Sequence, residues 1–171
     1  QRALANNSAI YTEKPDMGIF MDEWKSLYDS KSGERGIFNR ESANMISKKN
    51  GRRETEGHDF GTNPCSEIIL RSREFCNLSE IVIRPEDTMD SLKSKVRLAT
   101  ILGTFQSTLT NFKYVQKDWK KNCQEERLLG VSMTGIMDSV LTNGKQSGLK
   151  ERLEELKQIA VDTNKKLAKE I

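Results

Sequence analysis

The chain has 171 residues, enough for one domain of ordinary size with a buried core. Its 28 basic and 25 acidic residues leave a net charge of only +3, and no dense basic block is interleaved with aromatics, so no nucleic-acid polymer is expected as a partner. No run of about eighteen apolar residues and no signal-peptide pattern occurs, which predicts no membrane association and a cytoplasmic location.

Residues 3–10 read as a short strand running into a polar turn. Pro15-Asp16 suits a helix start, and Phe20, Trp24 and Leu27 keep helical spacing across residues 17–30. Gly33 and Gly36 bracket Glu34-Arg35, and Ile37-Phe38 lead into a polar stretch over residues 39–59, predicted as a long loop or a helix with a frayed end. Residues 79–84 are rich in β-branched side chains and stop at Pro85, which predicts a strand closed by a turn. Thr88-Met89-Asp90 then opens the clearest helix, with Asp90 as the expected cap and Leu92, Val96, Ala99, Leu102, Phe105, Gln106 and Leu109 as its apolar face.

Residues 128–133 predict a buried strand, followed by a brief helix through Ile136 and Val140, with Met133 and Met137 helically spaced and therefore core. The last helix carries Leu149, Leu153, Leu156, Ile159, Ala160 and Leu167, with charges on its other face. Alternating strands and helices point to an α/β architecture with some parallel pairing. The chain starts at Gln1 without an initiator Met and stops at Lys169-Glu170-Ile171 inside a helical pattern, so an internal portion of a longer protein is expected.

The chemistry concentrates in residues 60–81. Asn63, Cys65 and Glu67 offer an amide, a thiol and a carboxylate at alternate positions, so in an extended loop their side chains share a face. Taken alone, Asn63-Pro64 is also a common turn, with Asn63 as its Asx residue, and Cys65 a small packing residue. A non-catalytic α/β interaction module in which Cys65 and Cys76 merely pack is therefore one reading. Three cysteines without the paired spacings of a secreted scaffold fit reducing surroundings, in which any disulfide would be catalytic.

Gly61-Thr62-Asn63-Pro64-Cys65-Ser66-Glu67-Ile68, followed eleven positions after Cys65 by Cys76-Asn77-Leu78-Ser79, resembles the active-site loop of ribonucleotide reductases in its short-spacer form. Residues 2–8 and 32–40 resemble the segments that precede this loop in the adenosylcobalamin-dependent class II members, and residues 127–135 are similar to the family's next barrel segment. The resemblance implies a ten-stranded α/β barrel with a central finger loop, as in the glycyl-radical enzymes. Residues 1–171 would be an internal portion of it, with the finger loop around 60–78.

The same resemblance implies roles for individual residues. Cys65 would carry the thiyl radical, Glu67 would take the proton of the ribose 3′-hydroxyl, and Asn63 would hold a ribose hydroxyl. Asn63, Pro64 and Ser66 would line the substrate. Cys76 would be one of two cysteines that supply reducing electrons by closing to a disulfide, its partner lying upstream of Gln1. The implied reaction converts ribonucleotides, as triphosphates in the monomeric class II form, to 2′-deoxyribonucleotides. The implied cofactor is adenosylcobalamin, and the implied partners are thioredoxin or a similar dithiol and the remainder of the parent chain. A class I reductase drawing its radical from a di-metal subunit is the alternative, although class I members have a longer insertion between these cysteines.

Cys123 matches no motif of the family and is expected to be a structural or surface thiol. His58, the sole histidine, makes no metal-ligand spacing with Cys65 and Cys76, so no metal is expected. Gly130 and Gly135 lack the spacing of a phosphate-binding loop, and Lys117, Lys120 and Lys121 read as a solvated basic patch.

Overall fold

The computed structural model describes residues 8–31, 36–51 and 53–171, which divide after Glu74 into two units. Residues 3–7 of the predicted first strand and the family-like segments 2–7 and 32–35 lie outside the described residues.

In the first unit, β1 (Ala9–Tyr11) and β2 (Ile37–Asn39) pair in parallel, Ala9 opposite Ile37. The connection between them carries α1 (Met17–Ser30), which begins where Asp16 Oδ1 accepts a hydrogen bond from Gly18 N at 2.8 Å. Of the two readings of residues 39–59, a helix followed by a loop is realised. In α2 (Arg40–Asn50) the Asn39 side chain caps Ser42 N, and the left-handed Gly51, φ 60°, stops the last turn. The loop that follows leads into an antiparallel hairpin of β3 (Gly61–Thr62) and β4 (Ile69–Leu70).

In the second unit, β5 (Asn77–Val82) and β6 (Leu129–Thr134) pair in parallel through six matched positions, from Asn77 opposite Leu129 to Val82 opposite Thr134. The pleat turns Ser79 and Ile81 inward and leaves Leu78 and Val82 exposed. The inward face packs on α3 (Met89–Ser107), which also packs on α5 (Leu149–Leu167); Ile81, Ile83, Leu92, Val96, Ala99 and Leu156 form the core. Lys93 and Glu155 make a 2.6 Å ion pair, and Asn164 Nδ2 donates to Thr104 Oγ1 at 2.9 Å, so polar contacts also join the two helices. Helix α4 (Lys117–Glu126) carries the basic patch and buries Cys123.

Four expectations for this unit need correction. The cap of α3 is Thr88, in a reciprocal capping box with Ser91, and Asp90 instead sits in the first turn, where its charge complements the helix dipole. The buried face of α3 continues through Thr100, Gly103, Thr104 and Ser107, whereas Leu102, Phe105 and Leu109 are exposed. Gly103 sits at the closest approach to the sheet, where a Cβ would lie 2.1 Å from Leu129 Cδ1 and would require that side chain to move. The threonine hydroxyls tolerate burial by donating at 2.7 Å to Val96 O and Thr100 O one turn back.

Beyond β6 the predicted brief helix is absent, and residues 136–142 form successive turns. Ile136, Met137 and Val140 are exposed, so no apolar stripe exists for a helix to bury, and Met137 is not core. Ser139 and Thr142 are buried instead, with Thr142 Oγ1 donating to Ile136 O at 2.7 Å. Met133 does pack against the core, from β6. Among the described residues no helix is long and apolar enough to cross a membrane.

Candidate active-site loop

The β3–β4 hairpin carries the predicted loop at its tip. Asn63 closes it twice: its backbone N–H donates to Ile68 O at 3.3 Å, and its Oδ1 accepts from Ile68 N at 3.1 Å. Within these ends, Ser66 N donates to Asn63 O at 3.0 Å and Ser66 takes a left-handed φ of 64°, so Pro64 and Cys65 occupy the middle of a β-turn. The loop is therefore not extended, and strand alternation does not set the directions of Asn63, Cys65 and Glu67. What these residues share is the loop closed by Asn63 and Ile68, which carries an amide, a thiol, a hydroxyl and a carboxylate within residues 63–67.

Pro64, Cys65, Ser66 and Glu67 are exposed, and Asn63 is half-buried. Exposure leaves the Cys65 thiol reachable by a reactant. Because Asn63 Oδ1 already serves Ile68, the hydrogen-bonding capacity that its side chain can turn to a ligand is its amide N–H pair. The Asx-type turn and a ligand-directed amide are thus compatible in one residue.

The foundation of the hairpin is polar and buried. Phe60 is fully buried; its N–H points to Asn44 Oδ1 at 3.4 Å and its carbonyl accepts from Arg40 Nε at 3.0 Å. The Glu74 carboxylate, with no side-chain exposure, accepts from Arg71 N at 2.7 Å and from Arg53 Nη2 at 3.3 Å. Sequence reasoning missed Asn44, Arg53, Phe60 and Glu74 as supports of the loop. They follow no period, and the run Arg71-Ser72-Arg73-Glu74 after Ile68-Ile69-Leu70 carries no sequence signal of burial.

Cys76 is the second residue of the second unit, half-buried and one residue before β5. Its neighbour Phe75 donates its N–H to the buried Cys123 Sγ at 3.3 Å and stacks on Trp119 with ring centroids 4.4 Å apart, while Phe112 meets it edge-on at 5.2 Å. Cys123 is accordingly a structural thiol. Among the described residues no cluster of His, Cys, Asp and Glu is arranged to hold a metal ion. Lys117, Lys120 and Lys121 are exposed on α4.

Comparison with known sequences decides the family, because the pattern describing the ribonucleotide reductase barrel domain matches residues 3–165. The chain belongs to the ribonucleotide reductase barrel-domain family. It is 35% identical over 147 residues to an adenosylcobalamin-dependent ribonucleoside-triphosphate reductase of Lactobacillus gasseri, an alignment covering 82% of this chain and 18% of that protein. The enzyme of the same description from Lacticaseibacillus paracasei is 32% identical over 123 residues, 69% of this chain and 16% of the relative. That of Lactobacillus delbrueckii subsp. bulgaricus is 34% identical over 120 residues, 66% of this chain and 15% of the relative. This ribonucleotide reductase chain thus spans less than a fifth of the length of these relatives. No solved structure matches it.

Proposed function

We propose that this ribonucleotide reductase chain supplies the active-site loop of an adenosylcobalamin-dependent ribonucleoside-triphosphate reductase, which makes 2′-deoxyribonucleotides for DNA synthesis. The observation that carries the reading is the exposed Cys65 thiol at a hairpin tip, in the loop between β3 and β4 that also carries Asn63, Ser66 and Glu67. The exposed thiol fits a cofactor that acts by taking a hydrogen atom from sulfur. Adenosylcobalamin, when bound, would supply the carbon-centred radical that does so.

The remaining chemistry belongs to the chain. A Cys65 thiyl removes the 3′-hydrogen of the ribose nearly isoenergetically, because sulfur–hydrogen bonds are weak. Glu67 accepts the 3′-hydroxyl proton as general base while the 2′-hydroxyl, protonated by a thiol of the redox pair, leaves as water. Asn63, through its amide N–H groups, together with Pro64 and Ser66, holds the ribose. Cys76 and a second cysteine of the parent protein provide two electrons and close to a disulfide, which thioredoxin or a similar dithiol reopens. Cys65 then returns its hydrogen to carbon 3′, so the thiol is regenerated in each turnover.

Two features support placing residues 1–171 inside a larger barrel, with the finger loop around 60–78. Helix α1 buries none of its residues, and Leu98, Leu102 and Phe105 are exposed apolar side chains on α3. Among the described residues the parallel sheets have two strands each, leaving edges that further strands would extend. A ten-stranded barrel completed by the rest of the parent chain would cover both, and a reducing cytoplasm would keep the thiols available.

The test uses the full-length parent with a ribonucleoside triphosphate, adenosylcobalamin and a dithiol. Deoxynucleotide should form, and Cys65→Ser should abolish it while nucleotide binding persists. Turnover surviving in that variant would remove Cys65 from the reaction.

A further inference from the structure

The charged side chain most deeply involved in the hairpin is not at its tip. Arg53 lies in the loop after α2, and its guanidinium is engaged on three sides. Its Nη1 donates to Ile69 O at 2.7 Å, its Nη2 to Glu74 Oε2 at 3.3 Å, and its carbon lies 4.6 Å from the centroid of the Phe60 ring.

These partners belong to both legs of one hairpin. Phe60 immediately precedes β3, and Ile69 stands in β4 opposite Thr62. Two strands of two residues each cannot hold their own orientation, since even longer isolated hairpins are marginal in water. The buried Glu74 carboxylate in turn requires a cation, and Arg53, itself only 17% exposed, supplies one. A second tie runs from Arg71 Nη2 to Glu54 O at 3.3 Å, next to Arg53 in the chain.

We propose that Arg53 is a positioning residue that clamps both legs of the hairpin and so sets where the Cys65 thiol stands, without itself touching substrate. Its catalytic half rests on the reductase reading above; the clamp itself does not. The chemistry calls for arginine. A planar fork can donate to a carbonyl and a carboxylate while its face lies on an aromatic ring, whereas an ammonium is a single point charge that cannot do all three. A reacting thiol displaced by about 1 Å loses rate by about a hundredfold, so a loose clamp would be felt at the tip.

The experiment compares the full-length protein with its Arg53→Met and Arg53→Lys variants. Amide hydrogen exchange is followed over residues 61–70 and over β5 and β6, and kcat and KM are measured for the ribonucleotide. In Arg53→Met, exchange in the hairpin should accelerate by about tenfold or more, as expected for loss of a charge-assisted bond, while β5 and β6 keep their protection. The value of kcat should fall by about tenfold or more with KM nearly unchanged, because the lost interaction serves the reacting geometry. Arg53→Lys should lie between the two on both measures.

Hairpin exchange that stays at the wild-type rate would overturn the clamp. Faster exchange with unchanged kcat in an active enzyme would overturn the positioning role. Should Arg53→Met lose protection in β5 and β6 and so fail to fold, the same two measurements on Arg53→Lys decide. A wild-type parent without reductase activity would defeat the proposed function, while the exchange data would still judge the clamp.

Discussion

The backbone N–H of Phe75 donates to the buried thiol of Cys123 at 3.3 Å, so a cysteine outside every family motif holds the residue next to Cys76. The bond spans from the residue before Cys76 to helix α4, and the stacked Phe75–Trp119 pair reinforces it. Cys123→Ala leaves the Phe75 N–H without its acceptor and opens a small void, which should cost about 1–3 kcal/mol. Cys123→Ser keeps an acceptor and should cost less. Urea unfolding of the two variants checks the order, and equal losses would show that volume rather than the hydrogen bond matters here.

Two glycines of the second unit should respond differently to an added methyl group. Gly135, just after β6, has φ 73°, and a Cβ there would stand 2.3 Å from the Ile83 carbonyl oxygen, a backbone atom with no rotamer to change. Left-handed backbone costs a residue with a Cβ roughly 1–2 kcal/mol, and the clash adds to this. Gly135→Ala should therefore destabilise by more than about 2 kcal/mol. At Gly103 the clash is with Leu129 Cδ1, the end of a side chain that can turn aside. Gly103→Ala should therefore cost less, within the about 1–3 kcal/mol typical of overpacking. Thermal unfolding that finds Gly103→Ala the more damaging would mean that Leu129 has no room to move.

Acid should weaken the second unit at a definable point. A 2.6 Å hydrogen bond from Lys95 Nζ, then one from Ser91 Oγ, hold the Asp87 carboxyl at about 2, against an ordinary 3.8. Its folded value lies below its unfolded value, so the unfolded chain takes up the proton first as pH falls. The stabilisation is complete above about pH 4 and disappears between about pH 4 and pH 2. Allowing for the solvent contact of Lys95, it should be about 1–2 kcal/mol. Asp87→Asn should be weaker than wild type by that amount at neutral pH and should lose the slope in that window. Parallel stability–pH curves for the two proteins would contradict the assignment.

The elements legible in the sequence are those whose burial follows a simple period. Ile81 and Ile83 flank Val82 on an alternating strand, and Leu92, Val96 and Ala99 mark a helical stripe, so β5 and α3 could be read directly. Further along α3 the period misleads, because Gly103 and the self-bonded Thr100 and Thr104 occupy the close approach to the sheet that Leu102 and Phe105 would occupy on hydrophobicity alone. Helix α4 has one buried side chain, Cys123, and so leaves no apolar pattern. At the loop, residue types and spacing pointed to Asn63, Cys65 and Glu67, but an extended backbone does not explain their grouping. The turn that groups them depends on Ser66 and on the Asn63–Ile68 pair, and the clamp beneath it on residues up to 21 positions apart, a separation that no local pattern encodes.

The radical source can be tested apart from the reductase chemistry. The relatives matched by this chain are described as adenosylcobalamin-dependent, and the eleven-residue step from Cys65 to Cys76 is the short-spacer form. If the full-length parent works in the same way, Cys65 should exchange its sulfur-bound hydrogen with the 5′-carbon of the cofactor, and the thiol should exchange that hydrogen with solvent. Incubation with adenosylcobalamin in tritiated water and a dithiol, without any second protein, should then label the cofactor. Cys65→Ser should abolish the labelling, because a hydroxyl O–H bond is too strong for a carbon radical to break at a useful rate. Arg53→Met should slow it, since the thiol would be present but poorly placed. An unlabelled cofactor, together with nucleotide reduction that requires a di-iron or di-manganese partner protein, would transfer the parent to class I. Membership of the ribonucleotide reductase family would survive that outcome, because it rests on the match over residues 3–165 rather than on the radical source.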